Sequence, residues 1–449
     1  MTDYQPPPPS EGDVNLSPRR ARWQAEHLDA ATHALLAEDA RYFLHQSLST
    51  PCVNALRGCE GAYLEDLQGN RILDFHGNSV HQVGFGHPRV RAAIEAQLHT
   101  LSFCTRRYTN QVAVDLARKL VALAPGDLNK VLLAPGGTSA IGMALKLARV
   151  ATGRFKTISL WDAFHGASLD AISVGGEATF RRGVGPLLTG TEHAPPPDPS
   201  NCPFACERHC NLRCAHYVAY MLEKEGDVAA VVAETVRSTP CIPPKEYWQI
   251  IRAACDAHGA LLIFDEIPHC LGRTGKMFTC EHYGVVPDML VIGKGLGGGV
   301  MPLAALLARE SLDIAGQQAL GHYTHEKNPV ACAAGLATLS VLEDEALLEH
   351  ASVLGAHALH RLQTLSERHT CVADVRGLGL LLGVSLQHPQ GAVHAADLAD
   401  AVMYRCLSEG LSFKTTMGNI LTLTPPLTIT REQLDHAIDI LDDALGEAV

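Results

Sequence analysis

The stretch DMLVIGKGLGGGVMPLAALLA (residues 288–308) contains two apolar runs of strand length, separated by a glycine-rich turn. Lys294 lies in this turn, and five glycines surround it between residues 291 and 300. Glycine adopts backbone conformations that other residues avoid, and it leaves room for close approach to the backbone. The turn therefore predicts that a ligand lies against the backbone here and that the Lys294 side chain reaches it.

Similar apolar runs alternate with amphipathic stretches from about residue 128 to 310. Their length and composition are typical of buried strands, and helical patterns such as SAIGMALKLARVA (139–151) lie between them. The six runs are KVLLA (130–134), KTISLW (156–161), VAAVVAE (228–234), ALLIFDE (260–266), DMLVIG (288–293) and PLAALLA (302–308). Strand–helix alternation of this kind predicts an α/β fold with a mostly parallel sheet covered on both faces.

Four polar or glycine-rich motifs follow these strands at their carboxyl ends, where parallel sheets bind ligands. The motifs are APGGTSA (134–140), DAFHGAS (162–168), FDEI (264–267) and GKGLGGG (293–299). In the first, Gly136 and Gly137 expose backbone N–H groups where a strand turns into a helix, whose dipole favours an anion. Thr138 and Ser139 add hydroxyl groups, so this turn predicts a phosphate-binding cup.

The turn around Lys294 does not match the phosphate loop of ATPases. That loop places its glycines before the lysine and a serine or threonine directly after it. Here Gly295 follows Lys294, and most of the glycines come later. The lysine is therefore expected to react with a ligand or bind it in another way.

Composition and charge exclude further classes of function. The chain of 449 residues has 36 basic and 48 acidic residues and a formal net charge of −12, which argues against a general binder of nucleic acids or anionic membranes. No apolar run reaches the about 18 residues of a membrane span. The N-terminal MTDYQPPPPSEGD lacks the pattern of a secretion signal, so we expect a cytoplasmic protein.

The patterns divide the chain into four segments. The proline-rich residues 1–19 predict a disordered tail. Residues 20–75 combine a helix with strand patterns, GAYLEDLQGNRILDF, and are expected to pack with a small domain. Residues 76–329 carry the strand–helix alternation and form a large domain. Residues 330–449, with long helical patterns and few strands, predict a smaller α+β domain.

The order of the chemical motifs resembles that of one enzyme family. Asp265 ends a buried strand, Lys294 follows 29 residues later, and the phosphate cup lies upstream. Together with FHG, FDEIPHCLGRTG, GVVPDMLVIGKGLGGGVMP and NPVACAAGLAT, this order resembles the class III aminotransferase family of pyridoxal-phosphate enzymes, over roughly residues 40 to 445. The resemblance implies fold type I, with a seven-stranded, mostly parallel sheet in a large cofactor-binding domain and a smaller α+β domain.

The resemblance also implies roles for single residues toward pyridoxal 5′-phosphate. Lys294 would form a Schiff base with the cofactor aldehyde and later act as the proton-transfer base. Asp265 would pair with the pyridinium nitrogen and keep it protonated. Two side chains, Phe164 and Ile267, would lie against opposite faces of the ring. The cofactor phosphate would bind to Gly137 and Thr138.

In this family a threonine of the neighbouring subunit completes the phosphate site. It lies four residues before the Asn-Pro that opens the next helix, which places it at Thr324 in YTHEKNP. The resemblance therefore implies a homodimer with shared active sites, with a tetramer as the alternative.

The chain departs from the family where many members bind the α-carboxylate of amino acids. The family arginine of R-x-x-P-P-L is replaced by Thr422 in LTLTPPL, and the glutamate that pairs with this arginine is replaced by Thr239. A buried carboxylate without a cation is costly. An ordinary amino or keto acid is thus expected to bind poorly.

Other polar residues are candidates for binding a phosphonate or phosphate group, since arginine bonds such oxygens in a bidentate manner. Each arginine is also open to a purely structural ion pair. The candidate substrate-binding residues are Arg106, Arg107, Asn78, His81 and Arg237. As a set they favour a small aminophosphonate substrate.

Within the family, the stretches HGNSVHQVGFGHP, FCTRRYTN and HYTHEKNPVACAA resemble the branch of ammonia-lyases that act in bacterial phosphonate degradation. This resemblance implies a carbon–nitrogen lyase that eliminates the β-hydroxyl of (R)-1-hydroxy-2-aminoethylphosphonate and yields phosphonoacetaldehyde and ammonia. The alternatives are an aminotransferase for 2-aminoethylphosphonate or another amine, for which Arg376 is a further candidate cation, and a phospho-lyase of the ethanolamine-phosphate type. A metal or redox sensor on an inactive scaffold is disfavoured because Lys294 and Asp265 are both present.

Four cysteines recur at intervals of four residues in CPFACERHCNLRC, with His209 nearby. The spacing differs from the paired C-x2-C units of common structural zinc sites, and disulfides are unusual in the cytosol. A structural zinc site, disulfides and unlinked thiols are all open for Cys202, Cys206, Cys210 and Cys214. The chemistry expected at Lys294 needs no metal.

Overall fold

A computed structural model describes residues 10, 17–46, 52–206, 210–388 and 395–447. Helices α1 (Pro18–His27) and α2 (Ala30–Tyr42) precede an antiparallel meander of β1 (Leu56–Glu60), β2 (Tyr63–Asp66) and β3 (Arg71–Asp74). The α2 helix begins at its aspartate cap, since the Asp29 carboxylate accepts a hydrogen bond of 2.8 Å from the Thr32 N–H.

The central part of the chain alternates between strands and helices. After α3 (Pro88–Thr100) and α4 (Gln111–Leu123), the helices are α5 (Gly137–Thr152), α6 (Leu169–Val174), α7 (Ala178–Arg181), α8 (Arg213–Glu225) and α9 (Lys245–His258). The strands are β4 (Leu128–Ala134), β5 (Lys156–Leu160), β6 (Thr191–Ala194), β7 (Val228–Glu234), β8 (Leu261–Asp265), β9 (Met289–Ile292) and β10 (Ala304–Arg309). They form one seven-stranded sheet in the order β4-β10-β9-β8-β7-β5-β6.

This sheet confirms the predicted fold class. All neighbouring strands pair in parallel except β10, which runs antiparallel to both β4 and β9. All seven residues of β7 are buried, as expected for a strand covered by helices on both faces. The six apolar runs are all strands. Strand β6 was not predicted, because its sequence TEHA carries too little apolar pattern to mark a strand at the sheet edge.

The C-terminal part forms two smaller layers. It contains α10 (Pro329–Asp344), α11 (Leu347–Arg368), β11 (Val372–Leu378), β12 (Leu381–Leu386), α12 (Ala396–Ser408), β13 (Leu411–Ser412), β14 (Lys414–Thr416), β15 (Ile420–Leu423) and α13 (Arg431–Glu447). An antiparallel sheet has the order β11-β12-β15-β14, and β13 pairs in parallel with β3. The N-terminal meander is thus joined to the C-terminal part by backbone hydrogen bonds.

The predicted domain boundaries stay predictions. Of the predicted tail, residues 1–9 and 11–16 lie outside the described residues, and α1 begins at Pro18. Within the described parts of the chain, no helix is both long and apolar enough to cross a membrane.

Trp23 is a buried contact between helix α1 and α12. The side chain is 6% exposed, its Nε1–H donates to Ser408 Oγ at 3.1 Å, and its ring centroid lies 6.3 Å from that of Tyr404. We expect Trp23→Ala to lower the free energy of unfolding by roughly 3–5 kcal/mol, the cost of removing a large buried aromatic side chain.

Urea unfolding of the purified protein measures this loss, and Trp161→Ala is the matched control. Trp161 is 46% exposed, so its removal is expected to cost much less. An equal loss in the free energy of unfolding for the two variants would contradict a large contribution of the buried Trp23 side chain to stability.

Candidate active site

A cavity of about 420 Å3 opens at the carboxyl ends of β4, β5, β8 and β9. The sequence predicted this edge of the sheet because the four motifs follow these strands. The lining includes the motif residues Gly136, Gly137, Thr138, Phe164, His165, Gly166, Asp265, Ile267, Pro268 and Lys294. Val80, Pro135 and residues 299–303 complete it.

Lys294 begins a single 3-10 turn directly after β9, with its backbone in the left-handed region at φ +47°. A non-glycine residue seldom adopts this conformation, and such strain is concentrated at functional sites. The next residue rests against Gln82, since a Cβ at Gly295 would lie 1.9 Å from the side-chain amide of Gln82. The glycines therefore serve close packing around the lysine, and Lys294 itself lines the cavity.

Asp265 ends β8 with a carboxylate that is 2% exposed. Its Oδ2 accepts a hydrogen bond of 2.8 Å from Nδ1 of His165, which is fully buried. Its Oδ1 accepts one of 3.1 Å from the Ile267 N–H. Two donors thus fix the carboxylate at the edge of the cavity, and the buried negative charge has polar partners.

The turn before α5 forms an open anion cup. Its cap residue Gly136 supplies no side-chain hydrogen bond to the helix, so the first N–H groups of a 16-residue helix lack a side-chain partner there. A Cβ at Gly137 would lie 2.6 Å from Ile267 Cδ1, and one at Gly166 would lie 2.2 Å from Thr138 Oγ1. Glycine at positions 137 and 166 therefore allows Ile267 and Thr138 to pack directly against the backbone at these two positions.

These residues fit pyridoxal phosphate, the cofactor that the sequence implies. The cup offers backbone N–H groups and the Thr138 hydroxyl to a phosphate, and the Asp265 carboxylate is available to a ring N–H. Phe164 and Ile267 are the apolar walls, and Lys294 is the amine that bonds an aldehyde. Phe164 is supported from behind by Phe180, with ring centroids 4.4 Å apart.

The predicted substrate contacts have different positions. Asn78, Arg106 and Arg107 are exposed, and Thr324 is exposed as well; none of the four lines the cavity of this protomer. Arg106 Nη2 contacts Nε2 of His322, which places the loop before α4 against the loop that carries Thr324.

Two other predicted contacts are buried away from the cavity lining. His81 is fully buried, and its Nε2 lies 3.3 Å from the Asp74 carbonyl oxygen. Burial lowers the pKa of His81 to about 3. Arg237 is 4% exposed and lies between two buried carboxylates, 3.5 Å from Glu177 and 3.7 Å from Glu234. Its charge is therefore balanced inside the protein.

The two threonines at the sites of the missing family residues form one buried group with a third. Thr422 Oγ1 lies 2.8 Å from Thr416 Oγ1, and both hydroxyls lie within 3.5 Å of the Thr239 carbonyl oxygen. All three residues are at most 2% exposed. Hydroxyl groups thus bond to one another and to the backbone at a place where the family has an ion pair.

The sequence did not identify the role of one cavity residue, His165. It belongs to the quoted FHG motif, so its contact with Asp265 was within reach of motif reasoning. His76 follows β3 and Lys414 lies on β14; no motif marks them, and neither lines the cavity. Burial, followed by the charges of Lys414, His81 and Lys294, lowers the pKa of His76 to about 3.

All fourteen cysteines are free thiols in the structure. Cys210 Sγ and Cys214 Sγ lie 3.4 Å apart without a bond. Among the described residues, no group of three or more His, Cys, Asp or Glu side chains is arranged to hold a metal ion. Residues 207–209, which include His209, lie outside the described residues, and the zinc and disulfide hypotheses stay predictions.

We expect His165→Ala to weaken binding of pyridoxal phosphate roughly tenfold or more, because a hydrogen bond to a buried charged group is lost. Titration of the apoprotein with the cofactor, followed by absorbance, measures the dissociation constant. His165→Asn keeps an N–H donor near the position of Nδ1 and should restore most of the affinity. Equal losses in the two variants would mean that ring volume, and not the hydrogen bond, is what matters.

We expect Gly137→Ala to displace Ile267 and to lower both the thermal midpoint of the apoprotein and its affinity for pyridoxal phosphate, because the new methyl group meets the Ile267 side chain. Gly316→Ala is the matched control, since a Cβ at this exposed glycine meets nothing within 4 Å. An unchanged midpoint and affinity in Gly137→Ala would contradict a tightly packed cup.

Comparisons with known proteins agree with this site. The profile of the family described as aminotransferase class-III matches residues 46–445. The (R)-1-hydroxy-2-aminoethylphosphonate ammonia-lyase of Vibrio splendidus (strain 12B01) is 47% identical over 98% of this chain and 95% of its own length. The acetylornithine aminotransferase of Caldanaerobacter subterraneus subsp. tengcongensis is 34% identical over 86% of this chain and 93% of its own.

A solved structure supports the same conclusion. The PLP-bound amine transaminase from an uncultivated Pseudomonas species is 30% identical, with a TM-score of 0.84, and the match covers 91% of this chain and 99% of that chain. With the matched family profile and the cavity geometry, this likeness leads to one conclusion: the chain belongs to the class III aminotransferase family of pyridoxal-phosphate enzymes.

Proposed function

We propose that the protein is a pyridoxal-phosphate-dependent ammonia-lyase that converts (R)-1-hydroxy-2-aminoethylphosphonate to phosphonoacetaldehyde and ammonia. The observation that carries the proposal is the 47% identity to the Vibrio splendidus ammonia-lyase over 98% of the chain. Identity to the acetylornithine aminotransferase of Caldanaerobacter is 34%, and identity to the putrescine aminotransferase of Pectobacterium atrosepticum is 36%.

The polar group at Thr239, Thr416 and Thr422 supports a substrate without an α-carboxylate. These hydroxyls are neutral, and they are already hydrogen-bonded to one another and to the backbone. These hydroxyl groups cannot balance the charge of a carboxylate as the family arginine does, and a buried carboxylate that is not paired costs several kcal/mol. The site therefore disfavours amino acids as amino donors and keto acids as amino acceptors. An amine that is converted without a second substrate is compatible with it.

Two cavity residues, Lys294 and Asp265, have direct roles in this reaction. When bound, pyridoxal phosphate supplies an electron sink for the carbon that carries the substrate amine. The Lys294 Nζ takes the proton from this carbon. The Asp265 carboxylate would stabilise the positive charge of the pyridinium nitrogen. Loss of the neighbouring hydroxyl as water, followed by hydrolysis, yields phosphonoacetaldehyde and ammonia, so the reaction needs no net oxidant, reductant or amino acceptor.

His165 positions the Asp265 carboxylate for this role. It donates to one carboxylate oxygen and leaves the other to the Ile267 N–H, so the carboxylate cannot rotate freely. A fixed, buried carboxylate stabilises a nearby positive charge without reorganisation during the reaction.

The active protein is proposed to be a homodimer with shared active sites, a tetramer of such dimers being the alternative. Thr324 is exposed and lies outside the cavity of its own protomer, as a residue that serves a partner's site must. Its loop is fixed against the loop before α4: Asn110 Nδ2 donates to the Lys327 carbonyl oxygen at 3.0 Å. This contact places Arg106 and Arg107 on the same exposed face.

The decisive experiment supplies the hydroxylated aminophosphonate to the holoenzyme without any keto acid. We expect one ammonia and one phosphonoacetaldehyde per substrate consumed. Release of phosphate from ethanolamine phosphate, with the hydroxylated aminophosphonate left unconverted, would favour the phospho-lyase alternative. Ammonia-free turnover of 2-aminoethylphosphonate that requires an amino acceptor would favour the aminotransferase.

Lys294→Ala is expected to abolish ammonia release, because it removes both the covalent anchor and the base. Borohydride should fix the cofactor covalently to wild-type protein and fail to do so in Lys294→Ala. Lys245→Met, which replaces an exposed lysine at the start of α9, is the matched control for both measurements. Full activity of Lys294→Ala would refute the assignment of the base.

A further inference from the structure

The loop before α8 brings two cysteine thiols into direct contact. Cys210 Sγ lies 3.4 Å from Cys214 Sγ, and both are free thiols. Because a disulfide bond is about 2.05 Å long, the two sulfurs need to approach each other by only about 1.4 Å to form one. The pair is therefore close to the geometry in which a disulfide can form.

The local sequence holds this pair in place. Leu212, between the two cysteines, has a left-handed backbone at φ +66°, so the chain turns sharply just before α8 begins. The Asn211 side chain accepts a hydrogen bond of 3.1 Å from the Arg213 N–H. It also donates one of 3.3 Å to the Phe204 carbonyl oxygen. The contact between the two sulfurs thus belongs to a hydrogen-bonded turn.

The two thiols differ in their access to solvent. Cys214 is the second residue of α8 and is fully buried, whereas Cys210 is half-buried. An oxidant in solution can therefore reach Cys210 but not Cys214. Burial also raises the pKa of the Cys214 thiol, which lowers its reactivity toward external reagents because the thiolate is the nucleophile. An accessible thiol thus lies next to a protected one, as in cysteine pairs that respond to oxidants.

The same loop carries two further cysteines. The side chains of Cys202 and Cys206 are hydrogen-bonded to each other, and the Cys206 sulfur accepts a hydrogen bond of 3.3 Å from the Asn211 N–H. Within the described ranges of the chain, these four thiols do not form a group arranged to hold a metal ion. The geometry therefore favours chemistry of thiols in pairs.

We propose that Cys210 and Cys214 are a redox-active dithiol, which low-molecular-weight disulfides such as glutathione disulfide oxidise to an intramolecular disulfide. Neither cysteine lines the cavity, so this modification site is separate from the chemistry at Lys294 and does not depend on the proposed function.

The oxidation takes place in two exchange steps. The Cys210 thiolate attacks the external disulfide, forms a mixed disulfide and releases the first small thiol. The Cys214 sulfur then attacks the Cys210 sulfur, and the second small thiol leaves with the proton that Cys214 gives up. Two protein thiols are oxidised while one external disulfide is reduced to two thiols. Because burial raises the pKa of Cys214, the second step should become faster as the pH rises.

The test treats the purified holoenzyme with glutathione disulfide, blocks the remaining thiols with N-ethylmaleimide and maps the tryptic peptides by mass spectrometry. Trypsin cleaves after Arg213, so the two cysteines of the pair fall on separate peptides, 209–213 and 214–224. The other two cysteines of the loop fall on a third peptide, 183–208. We expect most of the wild-type protein to yield 209–213 joined to 214–224, and dithiothreitol to separate them again.

Variants assign the role of each sulfur. Cys214→Ser should leave Cys210 as a mixed disulfide with glutathione, because the resolving sulfur is gone. Cys210→Ser should leave Cys214 unmodified, because it is buried. Cys59→Ser is the matched control, since Cys59 is an exposed thiol on β1 and its removal should leave the joined peptides unchanged. The wild-type peptide map decides the pairing even if a serine variant does not fold.

Three results would overturn the inference. In the first, peptides 209–213 and 214–224 of the wild type stay unlinked, whether or not Cys210 carries glutathione. In the second, either cysteine is joined to peptide 183–208 in place of its partner. In the third, elemental analysis finds one zinc ion per chain in the isolated holoenzyme, and the loop thiols react with N-ethylmaleimide only after a chelator is added.

Discussion

The hydrogen bond between His165 and Asp265 is the interaction on which the site depends. Both side chains are almost completely buried, so fixed donors must take the place of water around the carboxylate. His165 follows β5 and Asp265 ends β8, with β7 between them in the sheet. The parallel pairing of these strands therefore brings His165 next to Asp265. The Asp265 carboxylate is then held in one orientation, in which it can meet a pyridinium nitrogen.

The groups that carry charge or a dipole also lie along this edge of the sheet. The helix α5 presents its N–H groups on one side, Asp265 lies at the centre, and Lys294 leaves β9 in a left-handed turn. The cavity thus offers a place suited to an anion, built from backbone N–H groups, with a reactive amine nearby.

Prediction from sequence was most successful where a short segment carries its own physical signal. Six strands were identified because a strand covered on both faces must be apolar along its whole length, and the polar edge strand β6 was missed for the same reason. The glycine turns at residues 136–137 and around Lys294 were also recognisable. Their glycine pattern marks them as turns, whereas the contacts that require glycine, Gly137 with Ile267 and Gly295 with Gln82, come from the tertiary structure.

The sequence by itself determined the fold class, the family and the cavity residues that sit in motifs, including Lys294 and Asp265. Only the tertiary structure decided how each remaining charge is used: Arg237 is balanced by two buried carboxylates, and Arg106 lies on an exposed face. It also placed Lys414 opposite Thr422. The physical reason is that a charge acts according to its neighbours and its burial, and the fold decides both, as when it brings Arg106 to His322 from a distant part of the chain.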